Sequence, residues 1–192
     1  MKYPNGMKKT FNSPSAEPTS YGNRGMTLEK DINQTNEYYL ESNQAVIHKK
    51  PTPVQIVTVD YPKRSAAVIR EAYFKQPSTT DYNGIYKGKY IDFEAKETKG
   101  SSLPLSNIHE HQIEHMRAVQ EHGGICFLLV RFSSKEETFL LPANDLFSAW
   151  DRQFHGGRKS LSYDHVNRFG HPVPFRFHAR VDYLSVVNKL YF

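Results

Sequence analysis

The sequence predicts an α/β domain with a mixed central sheet flanked by helices. Three observations carry that expectation. The order of elements runs helix, several strands, helix, strand, strand, helices, which layers helices on a sheet. "ICFLLVRF" (125–132) is a nearly continuous apolar run, as in a strand covered on both faces. "SNIHEHQIEHMRAVQEHGG" (106–124) sets Ile108, Met116 and Val119 at helical spacing, giving one covering helix.

Each element follows from local pattern. Residues 1–25 are rich in Asn, Ser, Pro, Thr and Gly. They carry Lys2, Lys8, Lys9 and Arg24 against the single acid Glu17, as expected of a flexible basic arm or of a terminus without a task. Residues 26–43 place Leu28, Ile32, Thr35, Tyr39 and Leu40 at helical spacing, and Asn43 can end that helix. "AVIHKK" (45–50) is a short strand, and "VQIVTVDY" (54–61) is β-branched and alternating, hence a second strand. The run 65–78, "SAAVIREAYFKQPS", mixes helix formers with a basic and aromatic edge and leaves helix or strand open.

"DYNGIYKGKYIDFEAKET" (81–98) is a hairpin with a tight turn near Lys87-Gly88. Ser106 or Asn107 can cap the helix that follows, and Gly123-Gly124 stops it. "ETFLLPA" (137–143) is a strand and "NDLFSAWDRQ" (144–153) a short helix. Residues 155–177 form a loop with a brief helical piece, and "ARVDYLSVVNKLYF" (179–192) closes as a helix. The expected division is an arm over 1–25 and one domain over 26–192.

Composition narrows the function classes. A chain of 192 residues can bury one full core. Hydrophobic content of 38% and a mean hydropathy of -0.65 indicate polar extensions besides that core. A net charge of +5 and a pI near 9.2 favour a polyanionic partner, nucleic acid ahead of anionic membrane. The single Cys126 excludes an intrachain disulfide and a cysteine zinc finger, and its apolar setting suits a small buried hydrophobe. No apolar run approaches the roughly 18 residues of a membrane span, so a cytoplasmic protein without a membrane partner is expected.

The chemistry is concentrated on "IDFEAKET" (91–98). Alternation puts Ile91, Phe93 and Ala95 on one strand face and Asp92, Glu94 and Lys96 on the other. A solvated face is the plain reading. The sharper one uses Asp81: twelve residues and a tight turn separate it from Glu94, so the hairpin can return it beside Glu94. Two carboxylates from adjacent strands make a hard oxygen site suited to Mg²⁺. Lys96, on the Glu94 face, can reach a phosphate held there. Metal-assisted phosphodiester hydrolysis needs this set.

Gln112 falls in the middle of the apolar stripe of its helix. A buried amide needs a partner, found either on backbone or at the metal site. His111 and His115 form an i, i+4 pair. The zinc-protease pattern requires Glu after the first His, where Gln112 stands, so exposed histidines near phosphates are the better reading.

Asp81, followed by Glu94-Ala95-Lys96 on the next strand, resembles the PD-(D/E)xK nuclease core without its proline. "YGNRGMTLEKDIN", "TTDYNGIYKGKYIDFEAKET", "HEHQIEHM" and "RVDYL" together resemble the RecU Holliday-junction resolvases, over residues 20–188. The resemblance implies a restriction-endonuclease-like core with a protruding stalk within about 62–78. It implies a homodimer that cuts four-way DNA junctions symmetrically in recombination and repair, with Mg²⁺ or Mn²⁺. It assigns Thr79, Asp81, Glu94 and Gln112 to the metal, and Lys96 to stabilising the transition state. Arg24 would contact DNA from the arm. Arg70, Tyr73, Phe74 and Lys75 would do so from the stalk, and Glu29 would be an accessory acid. Some family members also modulate the strand-exchange recombinase, a further candidate partner. A sequence-specific PD-(D/E)xK endonuclease and a non-catalytic junction-binding or strand-bridging protein are the competing readings.

Overall fold

The computed structural model describes residues 27–75 and 79–192. They divide into two units, one over 52–75 and one comprising the remainder.

The larger unit is built on a six-stranded sheet in the order β1 (Val46–Lys49), β4 (Tyr82–Tyr86), β5 (Lys89–Thr98), β7 (Ile125–Phe132), β8 (Glu137–Pro142) and β10 (His171–Pro172). Only β5 and β7 run parallel; the other neighbours are antiparallel, so the sheet is mixed. A parallel pair cannot be joined by a tight turn. The crossover here runs through β6 (Ser102–Pro104) and α2 (Glu110–Glu121). Helices α1 (Leu28–Glu41), α3 (Ala143–Gln153), α4 (Tyr163–Phe169) and α5 (Tyr183–Tyr191) complete the cover. None of the described helices is long and apolar enough to cross a membrane.

Strand β7 shows why its apolar run is continuous. Phe127 and Leu129 belong to one core, with Leu28 and Ile32 of α1 and Tyr183 and Val187 of α5. Cys126, Leu128 and Val130 belong to a second, with Ile113 and Met116 of α2 and Leu146 of α3. A strand buried on both faces has no polar side to show.

In α1, Leu28, Ile32, Thr35 and Tyr39 are buried, but Leu40 is 45% exposed. Leu40 stands about 100° round the helix from Tyr39, off the inward stripe. Asn43 ends the helix in the left-handed region, at φ 55°. Lys87 and Gly88, at φ 48° and 75°, form the two-residue turn between β4 and β5, as a type I′ hairpin demands. Helix α2 starts later than Ser106 or Asn107. Those two residues are taken up by a 3₁₀ turn, Leu105–Asn107, and His109 is the N-cap. Residues 155–177 are more regular than the sequence pattern indicates, with β9 (Ser160–Ser162), α4 and β10. β9 pairs antiparallel with β6. Strands of two or three residues are too short to show a period.

The smaller unit is an antiparallel ribbon of β2 (Val54–Asp60) and β3 (Val68–Phe74). Within the open run 65–78 it forms strand over Val68–Phe74, residues 76–78 lie outside the described residues, and the ribbon begins upstream of residue 62. Its register is irregular between Ile56 and Val59, and a 3₁₀ turn, Arg64–Ala66, lies in the connecting loop. Every residue of both strands is exposed. The expected arm over 1–25, with Arg24, lies outside the described residues.

Candidate active site

Strand pairing sets the site. Tyr82 on β4 faces Phe93 on β5, and one register step further puts Asp81 opposite Glu94. The Asp81 backbone N–H donates to Glu94 Oε2 at 3.1 Å. The Lys96 ammonium lies 2.7 Å from Glu94 Oε1. From α2, the Gln112 side-chain N–H donates to Glu94 Oε2 at 2.7 Å. Gln112 Oε1 accepts the His109 backbone N–H at 2.9 Å, which satisfies a free donor at the start of the helix. One buried amide thus ties the helix N-terminus to the strand carboxylate.

Glu94 is fully buried, whereas the Lys96 side chain keeps 23% of its surface open. Burial pushes the Glu94 carboxyl up to about 7; the Lys96 ammonium opposes the rise and the Asp81 carboxylate adds to it. Glu94 Oε1 accepts no hydrogen bond and meets only the ion-pair contact of Lys96. A buried carboxylate oxygen with spare capacity, beside the half-buried Asp81, fits a hard divalent cation. Among the described residues no three His, Cys, Asp or Glu side chains gather closely enough to hold a metal ion.

Thr79 is half-buried, and its hydroxyl makes a long contact of 3.4 Å to the Thr80 carbonyl. Gln112 turns its amide nitrogen, not its oxygen, to Glu94. Glu29 pairs with Lys49 at 2.6 Å. With Asp81, Ala95 and Glu97 they line a cleft of about 250 Å³. Arg70, Tyr73, Phe74 and Lys75 belong to the smaller unit. There Arg70 Nε donates to Asp60 at 2.6 Å and the Tyr73 hydroxyl to Glu71 at 2.9 Å, while Phe74 is 83% exposed.

The face of β5 beside Glu94 is not a solvated one. Asp92 is also fully buried. Its carboxylate takes the Lys50 ammonium at 2.8 Å and the Tyr90 hydroxyl at 3.1 Å, together with the Thr80 hydroxyl. His115 Nε2 lies 3.2 Å away, so His115 is drawn inward rather than left as an exposed helix histidine. His109 and His111 stack at 5.3 Å, and His111 Nε2 is buried without a partner. Sequence reasoning passes over Lys50, Thr80 and Tyr90. Only the alternation that pairs Asp92 with Glu94 points toward them.

Comparisons of sequence with known proteins agree on one family. The family pattern of RecU, described as Recombination protein U, matches residues 23–189. The Holliday junction resolvase RecU of Oceanobacillus iheyensis is 61% identical over 196 residues, covering 100% of both chains. That of a Geobacillus strain is 60% identical over 198 residues, covering 100% of this chain and 98% of the relative. That of Bacillus subtilis is 56% identical over 202 residues, covering 100% and 96%. Among solved structures, Archaeoglobus fulgidus Hjc, a Holliday junction resolvase, aligns with a TM-score of 0.42 at 11% identity, covering 71% of this chain and 90% of that one. On the pattern match and the full-length identities, the chain belongs to the RecU family.

Proposed function

We propose that this chain is a structure-selective endonuclease that resolves four-way DNA junctions by paired, symmetric phosphodiester cuts. The observation that carries the reading is the meeting of Asp81, Glu94 and Lys96 on one hairpin, with Glu94 buried and its Oε1 met only by the Lys96 ammonium. Full-length relatives named Holliday junction resolvase supply the substrate class.

Asp81 and Glu94 would hold Mg²⁺, or Mn²⁺ in its place, with Thr79 completing the oxygen set. Gln112 can join only by turning toward Glu94 the oxygen that now accepts the His109 N–H. A bound divalent cation supplies an acidified water and charge neutralisation at the phosphate. Lys96 keeps its ammonium beside the same carboxylate, placed to meet negative charge that builds on the phosphate oxygens. Gln112 holds Glu94 in one orientation from α2. Arg24, Arg70, Tyr73, Phe74 and Lys75 would bind the junction, the cations on phosphates and the rings on bases. Glu29, half of an ion pair with Lys49, borders the site through their shared cleft with Asp81.

Two coordinated cuts need two sites, which a homodimer with two-fold symmetry provides. Such an enzyme works on DNA in the cytoplasm, where the strand-exchange recombinase is a further partner to test. The deciding experiment incubates a labelled four-way junction with Mg²⁺ and either the natural chain or Asp81→Ala. The natural chain should give paired nicks at symmetric positions, and the variant should only bind. Cutting of linear duplex at one sequence would favour a restriction-type enzyme. Binding without nicks by both proteins would favour a bridging module.

A further inference from the structure

We infer that Asp92 and Thr80, assisted by Lys50, are positioning residues that set Asp81 against Glu94. The inference rests on the metal-site reading above and extends it to residues that touch neither cation nor DNA.

Asp92 lies two residues before Glu94 on the same face of β5, and both are fully buried. Burying a charge is costly unless it is paired and hydrogen-bonded. Four groups meet that requirement for Asp92, and two of them, Thr80 and Lys50, lead to Asp81; the others are Tyr90 and His115. The Thr80 hydroxyl donates to Asp92 Oδ1. Thr80 is 2% exposed and stands between Thr79 and Asp81, so its anchorage fixes the backbone that carries both neighbours. The Lys50 ammonium bridges Asp92 Oδ2 at 2.8 Å and Thr80 Oγ1 at 3.1 Å. The Lys50 backbone N–H donates to the Asp81 carbonyl at 2.8 Å. With its own N–H on Glu94, Asp81 is held on its preceding side chain, its carbonyl and its amide.

Helix α2 grips both carboxylates at once. Gln112 reaches Glu94 and His115, three residues on, reaches Asp92. Positions i and i+3 share a helix face, as i and i+2 share a strand face. Two ligands on different strands must be kept within roughly 0.5 Å of their working geometry. A buried, fully bonded carboxylate beside the site does that, where an apolar plug would leave the Thr80 hydroxyl and the Lys50 ammonium without their shared anchor.

The test compares Thr80→Val, which keeps the shape and deletes the hydroxyl, with Thr80→Ser, which keeps the hydroxyl. Mn²⁺ binding to the full chain is measured by calorimetry without DNA, junction affinity in EDTA, and kcat and KM with Mn²⁺. Thr80→Val should weaken Mn²⁺ binding by on the order of tenfold or more, as loss of outer support does elsewhere. It should lower kcat, leave junction affinity in EDTA unchanged, and be rescued by Thr80→Ser. Asp92→Asn should weaken Mn²⁺ binding in the same direction. Unchanged Mn²⁺ affinity in Thr80→Val, whether or not its melting temperature falls, would overturn the inference and leave the cluster as core structure. Failure of the underlying site reading shows separately, as natural Mn²⁺ affinity and cleavage in Asp81→Ala.

Discussion

The backbone N–H of Asp81 and the side chain of Glu94 are joined by a 3.1 Å hydrogen bond across the open end of the β4–β5 hairpin. One acid thereby holds the other by its main chain, leaving the Asp81 carboxylate free of that contact. The hairpin register is pinned at the far end by the Lys87-Gly88 turn, and a slip of one residue would send Glu94 to the opposite face.

Glu94 exacts a stability cost that its replacement should reveal. Its carboxyl is pushed up to about 7, chiefly by burial, from an ordinary 4.5. A folded value above the unfolded one contributes stability below about 4.5, which is lost as pH rises through about 7. In EDTA, Glu94→Gln should therefore melt higher than the natural chain at pH 8, with the gap closing toward pH 5. It should also have no nuclease activity. Thermal scans at both pH values check this, and a lower melting point for the variant at pH 8 would contradict it.

Lys96 should separate binding from turnover. Its ammonium touches Glu94 alone among the contacts described and stays partly open to solvent. Lys96→Ala should lower kcat by about 10²–10³, the scale for losing one charge-stabilising donor. Junction affinity in EDTA should change by less than about threefold, because phosphate affinity is spread over many cations. Gel-shift titration and single-turnover cleavage measure the two quantities, and a parallel fall in both would make Lys96 a binding residue.

Gln112 should matter to stability as well as chemistry. Gln112→Leu keeps the volume but strands the His109 N–H and removes a donor from Glu94. Leaving the buried Glu94 oxygen without that donor costs about 1–3 kcal/mol. Urea unfolding of the metal-free chain should show that loss, and an unchanged midpoint would mean water replaces both contacts.

What the sequence makes legible is what local pattern encodes. The return of Asp81 to Glu94 follows from alternation plus a two-residue turn, and the two-faced burial of β7 follows from its unbroken apolar run. The cluster around Asp92 is not local. Lys50 comes from 42 positions upstream and His115 from 23 downstream, and no spacing rule joins them. The start of α2 is missed because Ser106 and Asn107 have good cap chemistry but are spent in a 3₁₀ turn. Leu40 is misplaced because hydrophobicity alone does not say which side of a stripe faces the sheet. The run 65–78 has no clear period, since both strands of its ribbon are exposed and no core imposes alternation.

Cys126 should be inert while the chain is folded. It sits opposite Asp92 in the β5–β7 pairing and is almost fully buried. Burial pushes its thiol up from 9.0 to about 12; the Asp92 charge adds to the rise and the Lys50 ammonium opposes it. The thiolate is the reactive form, so iodoacetamide at pH 8 should label the native chain at least about a hundredfold more slowly than the urea-unfolded chain. The raised value also favours the fold below about pH 9, a contribution lost as pH climbs toward 12. Cys126→Ala should remove that part of the alkaline decline while introducing a small cavity cost at neutral pH. Mass spectrometry of labelling at pH 8 and unfolding curves at pH 8 and 10.5 test both halves. Native labelling as fast as unfolded labelling would show that the β5–β7 pair opens readily around Cys126, against the closed packing of that core.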